Sequence, residues 1–85
     1  MGIENNPTWF KRTNKYLVDG AKLSAARVAA EMSLDQVAKE LGCNKSQVSR
    51  WERNSLVPSD ERIQKLVKLF KTKGFVVENA NRVEG

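Results

Sequence analysis

Lys45, Ser46, Ser49, Arg50 and Arg53 recur at helical spacing around two apolar residues, Val48 and Trp51. Stepping ~100° per residue from Lys45 puts Val48 and Trp51 on one side and the five polar side chains on the opposite arc. Gln47 falls on the flank. A helix carrying such side chains is about 10–12 Å wide, and the major groove of DNA is about 12 Å wide and admits one. Lysine and arginine donate to guanine O6 and N7, and serine serves several bases. Lys45, Ser46, Ser49 and Arg50 are therefore the candidate base readers. Gln47 on the flank and Arg53 at the far end suit phosphates. This is recognition chemistry, not bond-breaking chemistry. The chain has no histidine, which removes the commonest general base, metal ligand and partner of a Ser or Cys nucleophile. It has one cysteine and no glycine-rich phosphate loop. No enzyme activity, cofactor or metal is expected.

The elements that must position this arc are legible from their ends. Ser33-Leu34-Asp35-Gln36 is a capping-box pattern, in which a cap hydroxyl and a Gln three residues on satisfy each other's backbone N–H groups. It predicts a helix over Leu34–Leu41, with Val37, Ala38 and Leu41 inward. Gly42 ends it, because glycine takes the left-handed conformation at no steric cost. Asn44-Lys45-Ser46-Gln47 repeats the box and opens a second helix, from Lys45 to about Asn54. The free N–H groups at these two starts, near Ser33 and Asn44, suit phosphates because helix N-termini attract anions. Two helices joined so tightly cross steeply. The crossing wants the small Ala38 and the apolar Val37, Leu41, Cys43, Val48 and Trp51.

On either side the pattern predicts further helices. Asn6-Pro7 starts one in which Trp9, Phe10, Thr13, Tyr16 and Leu17 share a side. Asp19-Gly20 reads as a break. Ala21–Glu31, alanine-rich, forms the next. Ser59 caps another, with Asp60 and Glu61 in the first turn where the dipole favours them. Its apolar face is Ile63, Leu66, Val67 and Phe70, and Gly74 stops it. Phe75-Val76-Val77 reads as a short strand. The expected architecture is all-α: a compact four- to five-helix domain with a short C-terminal strand. Residues 1–18 form an N-terminal, helical extension, 19–73 the helix-turn-helix domain, and 74–85 a strand or tail.

The 85 residues carry 15 basic and 10 acidic side chains, a net charge of +5. The excess is local. Residues 43–73 hold eight basic residues against three acidic ones, which favours a polyanionic partner. Read singly, Lys45, Arg50 and Arg53 are ordinary solvated charges; the helix-turn-helix scaffold is what gives them a target. No apolar run approaches the roughly 20 residues of a membrane span, and no basic-then-apolar leader opens the chain. With a lone cysteine, these features lead us to expect a cytoplasmic protein without membrane contact.

The segment Ser33–Arg53 resembles the helix-turn-helix of phage repressors, Cro and Xre-type regulators. Leu23–Met32 looks like that family's first helix, and Pro58–Phe70 like its fourth. Lys45–Trp51 followed by Leu69–Val77 is also similar to the lysogeny activators of lambdoid phages. The resemblance implies a double-stranded DNA-binding transcriptional regulator with a recognition helix at about 45–53. It places base contacts at Lys45, Ser46 and Arg50. It also implies that Arg27 on the first helix pairs with Glu52 near the end of the recognition helix. Two positions depart from the family pattern. Leu34 stands where a DNA-touching glutamine is frequent, and Glu31 where a turn glycine is frequent, implying a different helix end.

One short helix contacts few base pairs, so a homodimer or higher homo-oligomer is expected, reading half-sites about 34 Å apart. The candidate contact is the apolar cluster Leu69, Phe70, Phe75, Val76 and Val77, with folding back on the chain's own core as the alternative. A different class of function, an antitoxin or protein-interaction adaptor, would use the aromatic N-terminal segment as its tool.

Overall fold

In the computed structural model, residues 14–80 are described, and they form β1 (Tyr16–Val18), α1 (Gly20–Ala29), α2 (Leu34–Leu41), α3 (Lys45–Glu52), α4 (Asp60–Phe70) and β2 (Val76–Glu78). Among the described residues there are four helices and one two-stranded sheet. The fold is therefore mostly helical, but not all-α, and no fifth helix occurs within these residues. Trp9, Phe10 and Thr13 of the expected N-terminal helix lie outside the described residues. Tyr16 and Leu17, expected to end that helix, are in strand β1 instead.

The reason is a long-range pairing that local periodicity does not reveal. β1 runs antiparallel to β2, with Tyr16 opposite Glu78, Leu17 opposite Val77 and Val18 opposite Val76. Asn79 and Asp19 close the ends of the ladder, through Asn79 N–H to the Lys15 carbonyl (2.9 Å) and Asp19 N–H to the Phe75 carbonyl (2.8 Å). The Asp60 carboxylate then takes the N–H groups of Lys15 (2.8 Å) and Tyr16 (3.1 Å), fixing β1 to the start of α4. Every one of these bonds spans more than forty residues.

The helix ends follow their caps. Asp19 caps α1 through the Lys22 N–H (3.2 Å). Its residue pair with Gly20 is thus a helix start rather than a break. Ser33 and Gln36 form the reciprocal box, at 3.1 and 2.7 Å. Gly42 adopts φ 70°, and the Cys43 N–H returns to the Ala38 carbonyl at 2.9 Å, a Schellman-type close. Glu31 takes φ 57°. The turn thus keeps a glycine-like geometry with a glutamate in it. α4 ends at Phe70, with Lys71 left-handed at φ 56°, and does not continue to Gly74. The earlier stop lets the chain double back, so that Phe75 enters the core at 1% exposure. There it meets Phe70 edge-on, with ring centroids 6.1 Å apart.

The core is one cluster: Leu23, Val37, Ala38, Leu41, Val48, Trp51, Leu66 and Phe75. The four helices contribute to it directly, and the two strands border it through the half-buried Val18 and Val76. No helix among the described residues is long and apolar enough to cross a membrane.

Candidate nucleic-acid interface

α3 packs against α2 and α1, and its buried side is Val48 and Trp51. The side turned away from the core carries Lys45, Ser46, Arg50 and Arg53, all exposed, with Ser49 and Gln47 half-buried on its margins. These residues lie on one continuous outer strip. Ser33 and Asn44, also exposed, sit at the starts of α2 and α3.

The two helix starts share the glutamine half of the box, whereas only at α2 does the cap side chain, Ser33 Oγ, also accept the Gln36 N–H. The Gln36 side-chain oxygen accepts the Ser33 N–H, and the Gln47 side-chain oxygen accepts the Asn44 N–H at 3.2 Å. With its oxygen so engaged, each glutamine has its amide NH2 left to donate. The two backbone N–H groups that follow each cap have no intrahelical acceptor, as at any helix start. The starts differ in charge. Asp35 stands in the first turn of α2, whereas the first turn of α3 has no acidic residue. An anion is therefore better received at α3. Gln36 is the counterpart of Gln47, a role that the repeated box spells out but that charge counting overlooks.

Glu52 is the one acidic residue of α3, and it is neutralised. Arg27 Nε donates to Glu52 Oε2 at 2.6 Å and Arg27 Nη2 to Glu52 Oε1 at 3.3 Å. Arg27 Nη1 also donates to the Met32 carbonyl at 2.8 Å. The two side chains are 17% and 10% exposed. The pair ties α1 to the end of α3, and it leaves the outer strip of α3 without free negative charge.

A second tie was not apparent from sequence. A Cβ on Gly20 would strike the Glu52 carbonyl and come within 2.8 Å of the Trp51 carbonyl oxygen. The start of α1 thus lies directly on the last turn of α3. The Gly20 N–H donates to Asn54 Oδ1 at 2.9 Å, and Asn54 itself is left-handed at φ 60°. The signal in the sequence is Asn54 just past the helix, since asparagine tolerates that conformation. From α4, the Arg62 guanidinium lies 5.9 Å from the Trp51 ring centroid. α3 is therefore held at its far end from α1 and along its buried side from α4.

The cluster expected at a dimer contact is divided by the fold. Phe75 is buried in the chain's own core and has no surface to offer, because the turn after α4 folds it inward. Leu69, Phe70 and Val76 are half-buried against the same core. Val77 is 47% exposed and points to the opposite face of the sheet from Val76.

Four helices with a capped, tightly turned pair and a cationic outer helix define a helix-turn-helix DNA-binding domain. The family described as Helix-turn-helix (HTH_3) matches residues 23–75, more than half of the chain. The chain belongs to this Xre/Cro-like helix-turn-helix family. No curated protein matches it significantly.

Proposed function

We propose that this protein is a sequence-specific regulator of transcription that lays α3 in the major groove of double-stranded DNA. Lys45, Ser46, Ser49 and Arg50 read base edges. Ser33, Asn44, Gln47 and Arg53 hold phosphates on either side. The observation that carries this reading is the outer strip of α3: basic and hydroxyl side chains together, with the helix's one carboxylate tied down by Arg27. An unpaired glutamate there would repel phosphate. The amide groups of Gln36 and Gln47 add neutral donors at the two helix starts, where they orient the domain without reading sequence.

Reading is proposed to occur as a dimer, since two copies double the contacts and a two-fold axis matches a palindromic site. Val77, 47% exposed, is the residue of the C-terminal cluster best placed to meet a second copy. Selection of bound duplexes from a random pool, repeated at two salt concentrations, tests the proposal. A recurrent, two-fold symmetric sequence is expected. Enrichment of no sequence, with binding that vanishes on raising salt, would reduce the protein to a non-specific polyanion binder.

A further inference from the structure

A groove of about 400 Å³ lies between α4 and the inner face of the two-stranded sheet. Ile63, Val67, Val76 and the ring of Tyr16 make its floor. Gln64, Lys68 and Lys73 make its rim, and these three are exposed. Both charged residues that line it are lysines. Among the described residues the one ion pair is Arg27–Glu52, so neither Lys68 nor Lys73 is held in an ion pair, although Glu40 lines the neighbouring groove on the other side of Lys68. Glu78 stands across the sheet from Tyr16 but is not part of the lining.

The groove is separate from the DNA-facing strip. None of its lining residues comes from α3 or from the caps Ser33 and Asn44. Its floor also argues against phosphate as the occupant, because a phosphodiester has nothing apolar to bury there. An apolar floor rimmed by two lysines outside any ion pair fits an anchor with apolar side chains inward and carboxylates outward. Amphipathic helices lie in hydrophobic grooves in this way, with anchors one and two turns apart.

From these features we infer that the α4–sheet groove docks an acidic amphipathic segment of a partner protein, and that it does so while α3 is on DNA. The apolar anchors sit over Val67 and Val76, and the carboxylates meet Lys68 and Lys73. The surface thereby gives a DNA-bound regulator a second, protein-directed contact.

The test uses the full chain, free and on duplex DNA. The probe is a synthetic helical peptide of leucines and glutamates at helical spacing, with a control in which lysine replaces every glutamate. Methyl and amide resonances report the site. The expected result is a saturable shift centred on Ile63, Val67, Val76 and Tyr16, with the same affinity on and off DNA. Combining Lys68→Glu with Lys73→Glu should weaken the peptide about tenfold, since two attractions become repulsions. Both positions are exposed, and thermal unfolding of the variant checks that it remains folded. No shift, equal binding of the lysine peptide, or a shift centred on α3 overturns the inference. So do three other occupants. Concentration-dependent shifts at these residues without peptide identify a second copy. Shifts of the same methyl groups on Trp9→Ala or Phe10→Ala identify the chain's own N-terminal residues. Shifts at Lys68 and Lys73 on adding duplex alone identify phosphate.

Discussion

Breaking the Arg27–Glu52 pair should be among the costliest single polar changes in the domain. Exposed ion pairs contribute about 0–1 kcal/mol, whereas removing one partner of a fully buried pair costs about 3–5 kcal/mol. At 17% and 10% exposure this pair stands nearer the buried limit. Each partner also has a different fallback. Without Glu52, Arg27 keeps its bond to the Met32 carbonyl. Without Arg27, both Glu52 and that carbonyl lose their donor. Glu52→Ala should therefore cost about 2 kcal/mol and Arg27→Met about 3 kcal/mol. The double variant should cost less than the sum, leaving a coupling of roughly 1.5–2 kcal/mol. A domain of this size has a stability of only about 4–13 kcal/mol, so urea unfolding followed by circular dichroism resolves these differences. Arg27→Met carries a second signature. It frees a carboxylate at the end of α3, so DNA affinity should fall more than for Glu52→Ala at equal folded fraction. Additive losses within about 0.5 kcal/mol would refute the reasoning, because residues in contact should not be independent.

Other changes test other joints of the fold. Gly20→Ala should destabilise by about 1–3 kcal/mol, since the new methyl meets backbone carbonyls that cannot swing aside, while Gly74→Ala, whose Cβ would meet only Thr72 Oγ1 at 3.5 Å, should be nearly neutral; thermal unfolding distinguishes them. Glu31→Gly should stabilise by roughly 0.5 kcal/mol, because relief of a left-handed glutamate (about 1–2 kcal/mol) exceeds the entropy that glycine adds to the unfolded chain, and a lower melting temperature would contradict this. Asp60→Ala should cost about 1.5–3 kcal/mol and speed hydrogen exchange at the Lys15 and Tyr16 amides before it affects α3. Arg50→Ala should cost about 1–3 kcal/mol on the selected site and relax one base position, whereas Arg53→Ala should weaken all duplexes alike and lower the salt slope by about one; equal losses on selected and scrambled duplex for Arg50→Ala would mean that α3 is oriented wrongly.

What the amino-acid order determined by itself is local. Ser33 with Gln36, Gly42, and Asn44 with Gln47 set the ends of α2 and α3, because capping bonds and left-handed turns act within a few residues. Helical spacing separated Val48 and Trp51 from Lys45, Ser46, Arg50 and Arg53 for the same reason. Where contacts span the chain, local patterns were silent, and only the family resemblance paired Arg27 with Glu52. Tyr16 and Leu17 read as helix, and they became strand only because residues 76–78 lie alongside and Asp60 takes the N–H groups of Lys15 and Tyr16. Lys71, not Gly74, ends α4, since a left-handed residue there brings Phe75 back under the helix. Gly20 resembled a break until α3 lay against it, for nothing near it in sequence signals Glu52. Local propensity could build α3; the angle at which it is presented depends on Gly20, Asn54, Arg27 and Arg62, residues that meet only after the chain has folded.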